Sequence, residues 1–313
     1  MNAPIRHSFL SRPLVAKPLK KAARVTRLLV GKFKKRYAVG GSSPLLDTNP
    51  QEPPFCSAAL LAEAAAVTSM SDDRYMVTLA QTAADLREAQ RLRFEVFRQE
   101  FGAEFNTTEP GLDADRFDPY CDHLLVRDQT TQEVVGTYRI LVPSQAAELG
   151  GYYSESEFDL SALAPLRDSM VELGRSCVHP DHRNGAVIMM LWSGISRYMK
   201  FHGYRHLMGC ASVSMRDGGR NAKAIWQQLC TKHGDGQARR VVPKHRLPLE
   251  RIEAAESAVE PPLIKGYVRV GAKVCGEPSW DPDFNTADFL MVLTLEDMTP
   301  RYARHFGLTG ATE

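Results

Sequence analysis

An α/β domain built on one mixed β-sheet is predicted by three observations. Short apolar runs of alternating pattern exchange with longer runs of helical period along residues 76–295, two of the short runs are joined by a four-residue polar turn, and VELGRSCVHPDHRNGAVI at 171–188 reads as a strand, a glycine-containing turn and a helix in succession.

Taken in order, residues 76–80 read as a strand and residues 82–101 as a helix, through the apolar spacing of Leu86, Ala89, Leu92, Phe94, Val96 and Phe97. A polar, Asp-rich loop follows over 102–120. Residues 123–127 and 134–142 form a hairpin about Asp128-Gln129-Thr130-Thr131. Residues 170–178 are the central strand, 186–201 a helix, 207–213 a strand and 222–233 a helix, with further strands over 238–242 and 289–295.

Composition adds bounds. The 313 residues are 43% hydrophobic and 24% charged, which suits a soluble domain of roughly 200 to 250 residues with extensions. Cys56, Cys121, Cys177, Cys210, Cys230 and Cys275 are widely spaced, without C-x-x-C or short Cys/His spacing. They are expected to be reduced thiols, and no metal site is expected.

The formal net charge of +2 hides an asymmetry. Residues 1–40 hold eleven Lys or Arg and no acid, whereas residues 41–313 hold 28 basic against 37 acidic side chains, a net of −9. Over 19–37, Leu19, Ala22, Ala23, Thr26, Leu29, Val30, Phe33 and Tyr37 share one helical stripe, with Lys20, Lys21, Arg24, Arg27, Lys34 and Lys35 on the other side. Such a helix lies in the plane of an anionic membrane surface. A solubilising tail, an organellar transit peptide and a nucleic-acid arm stay open as readings, though no nucleic-acid partner is expected. The expected organisation is a basic arm over 1–40, a Gly/Ser/Pro-rich linker over 41–71 and one catalytic domain over 72–313. No apolar run has the length of a spanning helix and no secretory segment precedes the basic cluster, so a cytoplasmic protein at the periphery of the inner membrane is expected.

The turn within 171–188 presents free backbone N–H groups at a helix N-terminus beside Arg183, which favours a phosphate or pyrophosphate. The strand before it supplies an acid, Glu172, and a base, Arg175. On a flat strand those two point to opposite faces; a bulge at Gly174 would bring them together, either as a structural ion pair or with a backbone N–H freed for an oxyanion.

Several blocks together resemble a known family: RLRFEVFRQE at 91–100, LDADRFDPYCDHLLV at 112–126, GTYRIL at 136–141, ELGRSCVHPDHRNG at 172–185, the run KGYVRVGAKVCGEPSWDPDFNTADFLMVL at 265–293, and PRYARHF at 300–306. The order of elements is similar to the GNAT acyltransferase fold, a central mixed sheet flanked by helices. Within it the chain resembles the acyl-carrier-protein-dependent L-ornithine Nα-acyltransferases of ornithine lipid synthesis. The first half is also similar to acyl-homoserine lactone synthases, which stay open as an alternative, with N-acyltransferases for another amino acid and a non-catalytic acyl-carrier or lipid-binding domain.

The resemblance implies transfer of a 3-hydroxyacyl group from acyl-carrier protein to the α-amine of L-ornithine, the donor being a co-substrate on its 4′-phosphopantetheine arm and no cofactor being bound. It implies coupling of the lyso-lipid product to an O-acyltransferase. It marks Arg93, Asp118, Arg139, Glu172 and Arg175, with Glu172 and Arg175 catalytic. Amide formation from a thioester needs a neutral amine, a proton path and an oxyanion stabiliser but no enzyme nucleophile. Glu172 is the best base by position; His123, His179 and His182 rank below it, and an acyl-Cys177 intermediate is the rival route. Ornithine's carboxylate suits Arg93 and Arg139, and its distal ammonium suits Asp115, Asp118 and Asp122, with Phe97 and His123 alongside. The donor falls to Cys177, Val178, Arg183, Asn184 and Gly185. Arg183 with Arg239, Arg240, Lys244, His245 and Arg246 is expected to form a basic patch for the carrier protein, and Leu92, Val96, Met189 and Trp192 to border either an acyl tunnel or the core.

Overall fold

Nine strands make one sheet in the computed structural model, which describes residues 68–102, 109–234, 240–282, 284–306 and 308. The basic stretch 19–37, the remaining residues before 68 and Arg239 lie outside the described residues. In chain order the elements are β1 (Met70–Ser71), β2 (Tyr75–Leu79), α1 (Ala83–Phe101), β3 (Asp122–Asp128), β4 (Val134–Leu141), α2 (Pro143–Glu148), β5 (Phe158–Asp159), β6 (Met170–Val178), α3 (Ala186–His202), β7 (His206–Ser214), α4 (Arg220–His233), β8 (Val242–Pro243), α5 (Pro262–Val270), β9 (Lys273–Val274), β10 (Ser279–Asp281), β11 (Thr286–Thr294) and α6 (Pro300–His305). The sheet order is β1-β2-β3-β4-β6-β7-β11-β10, with β9 also on β11. Only β6 and β7 run parallel; every other neighbouring pair is antiparallel.

The predicted helix over 82–101 is α1. Thr82 caps it by accepting from the Asp85 N–H while Asp85 returns to the Thr82 N–H, and Gly102 at φ 68° ends it in the left-handed region. Ala89, Leu92, Val96 and Phe97 bury against Leu125, Val134 and Cys177 on one face of the sheet. The opposite face is covered by α3, whose Gly194 comes so close to Leu124 and Val77 that a Cβ there would stand 3.2 Å from each. Leu124 and Leu125 therefore face opposite layers, as strand alternation requires.

Two departures from regular pairing position the site. First, β6 pairs with β7 only at Met170↔His206, Val171↔Leu207 and Glu172↔Met208, after which the strands part. Gly209 sits at the fork, where a Cβ would lie 2.3 Å from the Leu173 carbonyl oxygen. Second, Arg139 faces Gly174 while Thr137 faces Cys177, so Tyr138 opposes two residues, Arg175 and Ser176. Arg175 takes φ 50° to accommodate the extra residue. The bulge anticipated at Gly174 is thus one residue further on, and it turns Arg175 to the α1 side.

Of the strand expected over 238–242, residues 238 and 239 lie outside the described residues; among the rest, Val241 bridges to Gly276 and Val242–Pro243 pairs with β5 outside the main sheet. Proline lacks the N–H that a central strand needs. The expected strand over 289–295 begins earlier, at Thr286, because every residue of β11 is buried and the alternation that marks a half-exposed strand is lost.

Candidate active site

On α1, Gln90, Arg93 and Phe97 follow at intervals of three and four, which puts them on one stripe facing the loop before β3. Arg93 has no exposed surface. Its Nε lies 3.0 Å from Asp113 Oδ2 and its Nη2 lies 2.7 Å from Asp118 Oδ2. From β4, Arg139 Nη1 reaches Asp118 Oδ1 at 2.9 Å and Asp115 Oδ1 at 2.7 Å. From the bulge of β6, Arg175 Nη2 and Nε lie 3.2 Å from Asp115 Oδ2 and Asp113 Oδ2 respectively. Each arginine thus meets two aspartates and each aspartate two arginines. The six groups close into a ring of zero net charge.

Burial alone would raise the Asp118 carboxyl, but Arg93 and then Arg139 hold it far below the carboxylate range. Asp115 behaves alike: burial raises it, and Arg139 with Arg175 brings it below its ordinary value. Both acids are therefore ionised counter-ions of arginines. Arg175 also stacks over the rings of Phe284 at 4.8 Å and Tyr153 at 5.1 Å, which fixes its plane.

The fork between β6 and β7 opens a cavity of about 610 Å³, in the range of a small-molecule site. Arg139, Glu172, Arg175, Asp281 and Asp288 give it a polar end; Ile188, Met189, Trp192, Leu263, Tyr267 and Phe306 give it an apolar end. From Leu173 onward β6 has no strand partner on the β7 side, so its peptide edge faces this cavity. Tyr138 and Tyr267 meet hydroxyl to hydroxyl across the wall.

Glu172 is buried, and the turn Tyr153–Ser156 supplies its partners. The Tyr153 N–H donates to Oε2 at 2.6 Å, the Ser154 N–H donates to Oε1 at 2.8 Å, and the Ser154 hydroxyl donates to Oε1. Burial raises its pKa, opposed by the Ser154 and Tyr153 hydrogen bonds. The Glu172–Arg175 ion pair weighed from the sequence is corrected: the guanidinium is taken by Asp113 and Asp115, and the carboxylate by the 153–154 turn.

Of the predicted site residues, Phe97, Arg139, Glu172, Arg175, Cys177, Val178, Arg183 and Gly185 line the cavity, whereas Arg93, Asp115, Asp118, Asp122, His123 and Asn184 do not. Arg93 is corrected from a substrate ligand to a buried member of the ring, and Asp115 and Asp118 from ammonium ligands to partners of arginines. Asp122 points to the other face of the sheet, where the Tyr198 hydroxyl donates to it at 2.6 Å. Its neighbour His123 donates from Nε2 to the Asp118 carbonyl at 3.0 Å, burial lowers its pKa to about 4 so that it is neutral, and it lies away from the cavity wall.

At the donor turn, Asn184 Oδ1 accepts from the Ala186 N–H at 3.0 Å, and Gly185 with φ 92° opens α3. Arg183 is not held free for a phosphate: it donates to the Val178 carbonyl at 3.0 and 2.9 Å and pairs with Glu100. Burial pushes the Cys177 thiol up, which argues against a thiolate nucleophile. His179 Nδ1 accepts from the Asp181 N–H, and His182 meets the Tyr75 hydroxyl at 3.0 Å. The expected basic patch is weakened because Arg240 and Arg246 both pair with Glu277. Met189 and Trp192 border the apolar end together with Val96, while Leu92 is core.

The sequence reading missed Asp113, Glu157, Asp281 and Asp288. Asp113 lay in the same quoted block as its partners. Asp288 had a usable signal, an acid inside an otherwise apolar strand, which is rare unless something buried meets it. Glu157 lies in a stretch without periodicity and gave no signal. Glu157, Cys210 and Asp288 also bring their ligand atoms within 4.8 Å of one another, the one such His/Cys/Asp/Glu grouping among the described residues.

A family model described as an acetyltransferase (GNAT) domain matches residues 92–193. An L-ornithine N(alpha)-acyltransferase of Rhodobacter capsulatus is 36% identical over 249 residues, covering 74% of this chain and 94% of the relative. The enzyme of that name from Brucella abortus is 35% identical over 247 residues, covering 74% and 88%. Among solved structures, an N-acyl amino acid synthase from uncultured soil microbes aligns with TM-score 0.47 and 11% identity over 72% of this chain and 92% of that one. A CoA-dependent acyl-homoserine lactone synthase aligns with TM-score 0.46 and 15% identity over 74% and 90%. On the strength of the sequence relatives, which align over three quarters of its length, the chain belongs to the L-ornithine Nα-acyltransferase family, amide-forming acyltransferases of the GNAT fold.

Proposed function

We propose that this chain transfers a 3-hydroxyacyl group from acyl-carrier protein to the α-amine of L-ornithine, forming a lyso-ornithine lipid as the first step of ornithine lipid synthesis. The observation that carries this reading is the two-part cavity at the β6–β7 fork. It joins an apolar end suited to an acyl chain to a polar end with charges of both signs, in a chain whose relatives are ornithine acyltransferases.

The thioester lies along the free edge of β6, with the phosphopantetheine arm toward the opening turn of α3. The amine lone pair attacks the thioester carbonyl carbon, and the carbonyl oxygen takes the displaced electron pair as an oxyanion. A β6 N–H faces that oxygen. When the oxyanion collapses, the C–S bond breaks and the thiolate leaves with the electron pair. Glu172 accepts the proton that the amine loses and passes it to the thiolate. A carboxylate has about four acceptor positions, and the three donors from residues 153 and 154 leave one for the amine. Those donors also fix the rotamer, so the base is oriented before substrate arrives. Its raised pKa makes it a stronger base than an exposed glutamate.

The arm over 19–37 gives the enzyme a second task under this reading. It holds the enzyme on an anionic membrane surface, where the product partitions and reaches an O-acyltransferase. Deleting residues 1–40 then abolishes sedimentation with anionic vesicles; unchanged sedimentation would remove that part of the proposal.

The test is mass spectrometry of lipids from a host without aminolipids that expresses this chain. A hydroxyacyl-ornithine that appears with the native chain and disappears with Glu172→Gln supports the proposal. Absence of any N-acyl amino acid, with carrier protein present and the enzyme folded, would contradict it.

A further inference from the structure

The ring of three arginines and three aspartates is balanced, but the polar end of the cavity carries acids outside it. Glu157, just before β5, is 5% exposed, and Asp288, on β11, is 4% exposed. Among the described residues neither forms an ion pair with a Lys or Arg. Asp288 accepts from the Thr286 hydroxyl at 2.9 Å. Burial and the neighbouring Asp288 and Asp281 favour the neutral form of Glu157, which shares a side-chain hydrogen bond with Asp288, so the two carboxyls share one proton and can both ionise only around a cation. Asp288, Cys210, Asp281 and Ser212 line the cavity, and Glu157 stands behind Asp288 and Cys210 with a ligand atom within 4.8 Å of theirs.

Geometry narrows the cation. Glu157, Asp288 and Cys210 offer ligand atoms no more than 4.8 Å apart. Three such atoms share a centre within about 2.8 Å of each, the length of a charge-assisted N–H···O bond. A primary ammonium has three donors on one small centre and fits that triangle, whereas a planar guanidinium presents its donors along an edge.

We infer that Glu157 and Asp288, with Cys210 at the third corner, bind the side-chain ammonium of a diamino acid acceptor. This rests on the reading of ornithine as the acceptor. It deepens that reading by accounting for attack through the α-amine: a distal nitrogen held between two carboxylates stays protonated and has no lone pair to attack with, while the α-amine is left to Glu172.

The test compares ornithine with norvaline, which has the same carbon chain without the distal nitrogen. It uses the full-length enzyme and the variants Glu157→Gln and Asp288→Asn, with kcat/KM for transfer and calorimetric binding measured separately. The native enzyme prefers ornithine by about 100-fold or more, and each variant lowers the ornithine-to-norvaline ratio by about 30-fold or more. Each substitution replaces a buried carboxyl with a neutral amide of the same shape and relieves the crowding of acids at this point, so melting temperatures at pH 7 are equal to or above that of the native chain.

An unchanged ratio in both variants overturns the inference. So does stoichiometric zinc binding that requires both residues while the ratio stays the same. If the native chain binds ornithine in preference to norvaline, loses that preference in the variants, and transfers nothing, the binding site stands and the transferase reading fails. If transfer to ornithine occurs with the ratio unaltered in the variants, the transferase reading stands and this site fails.

Discussion

Arg139 Nη1 stands 2.7 Å from each carboxylate oxygen of Asp115. That contact ties the loop before β3 to β4, and Asp115 extends it to Arg175 on β6, within the bulge that Tyr138 opposes. The polar end of the cavity is therefore braced from α1, the loop, β4 and β6 at once. Arg139 and Arg175 line the cavity with their guanidinium planes oriented by the aspartates.

Arg93 supports this brace from below. Arg93→Met leaves Asp113 and Asp118 buried with one arginine each, and the expected loss is about 3–5 kcal/mol of unfolding free energy in urea titration. Asp115 and Asp118 have depressed pKa values in the folded chain, so their contribution is complete above the ordinary carboxylate range and is lost as pH falls below it. The stability gap between native and variant closes as the pH falls below about 4.

Glu172→Gln removes the proton acceptor and is expected to lower kcat/KM by about 10²–10⁴ with acyl donor still bound. In the native enzyme the rate rises with pH as Glu172 loses its proton, and the raised pKa puts that limb above the usual glutamate value of about 4.3. A pH–rate profile of the variant lacks this limb. A limb of the same position in both proteins would assign the base elsewhere.

Cys177 is buried among the apolar side chains beneath α1, and its thiol is pushed up by that burial. Cys177→Ala is expected to retain transfer within about tenfold, the change reflecting packing alone. Intact-protein mass spectrometry of the native chain after incubation with donor and no amine should show no acyl adduct. An adduct lost in the variant would establish the two-step route.

Gly209 marks the place where two parallel strands begin to separate. In Gly209→Ala the new Cβ meets the Leu173 carbonyl oxygen at 2.3 Å, so the fork must widen. The expected cost is about 1–3 kcal/mol of stability, read by urea unfolding, together with a raised KM for the acyl donor. An unchanged KM would mean that the donor does not rest on this edge.

Most of the scaffold was legible because strand and helix periods are local. Residues 170–178 and the helix from Ala186 were read at their observed starts, whereas the bulge anticipated at Gly174 falls at Arg175 and does not bring positions 172 and 175 into contact. The pairing of charges was not legible. Asp115, Asp118 and Asp122 look alike in sequence, yet Asp115 and Asp118 serve arginines on the α1 face and Asp122 accepts from Tyr198 on the other. Which acid meets which base depends on the path of a loop with no period, and the sign of a side chain says nothing about whether its charge is already satisfied. Asp288 shows the same dependence on distant segments: its place on the cavity wall comes from β11 lying beside β7.

The measurement that tests the account most directly is single-turnover transfer with purified full-length enzyme, L-ornithine and 3-hydroxyacyl carrier protein, followed by mass spectrometry with site-specific isotope labels on the two ornithine nitrogens. The account predicts an amide at the α-nitrogen, formed without an acyl-enzyme and slowed about 10²-fold or more by Glu172→Gln. An amide at the distal nitrogen, or transfer at an unchanged rate in that variant, would contradict it.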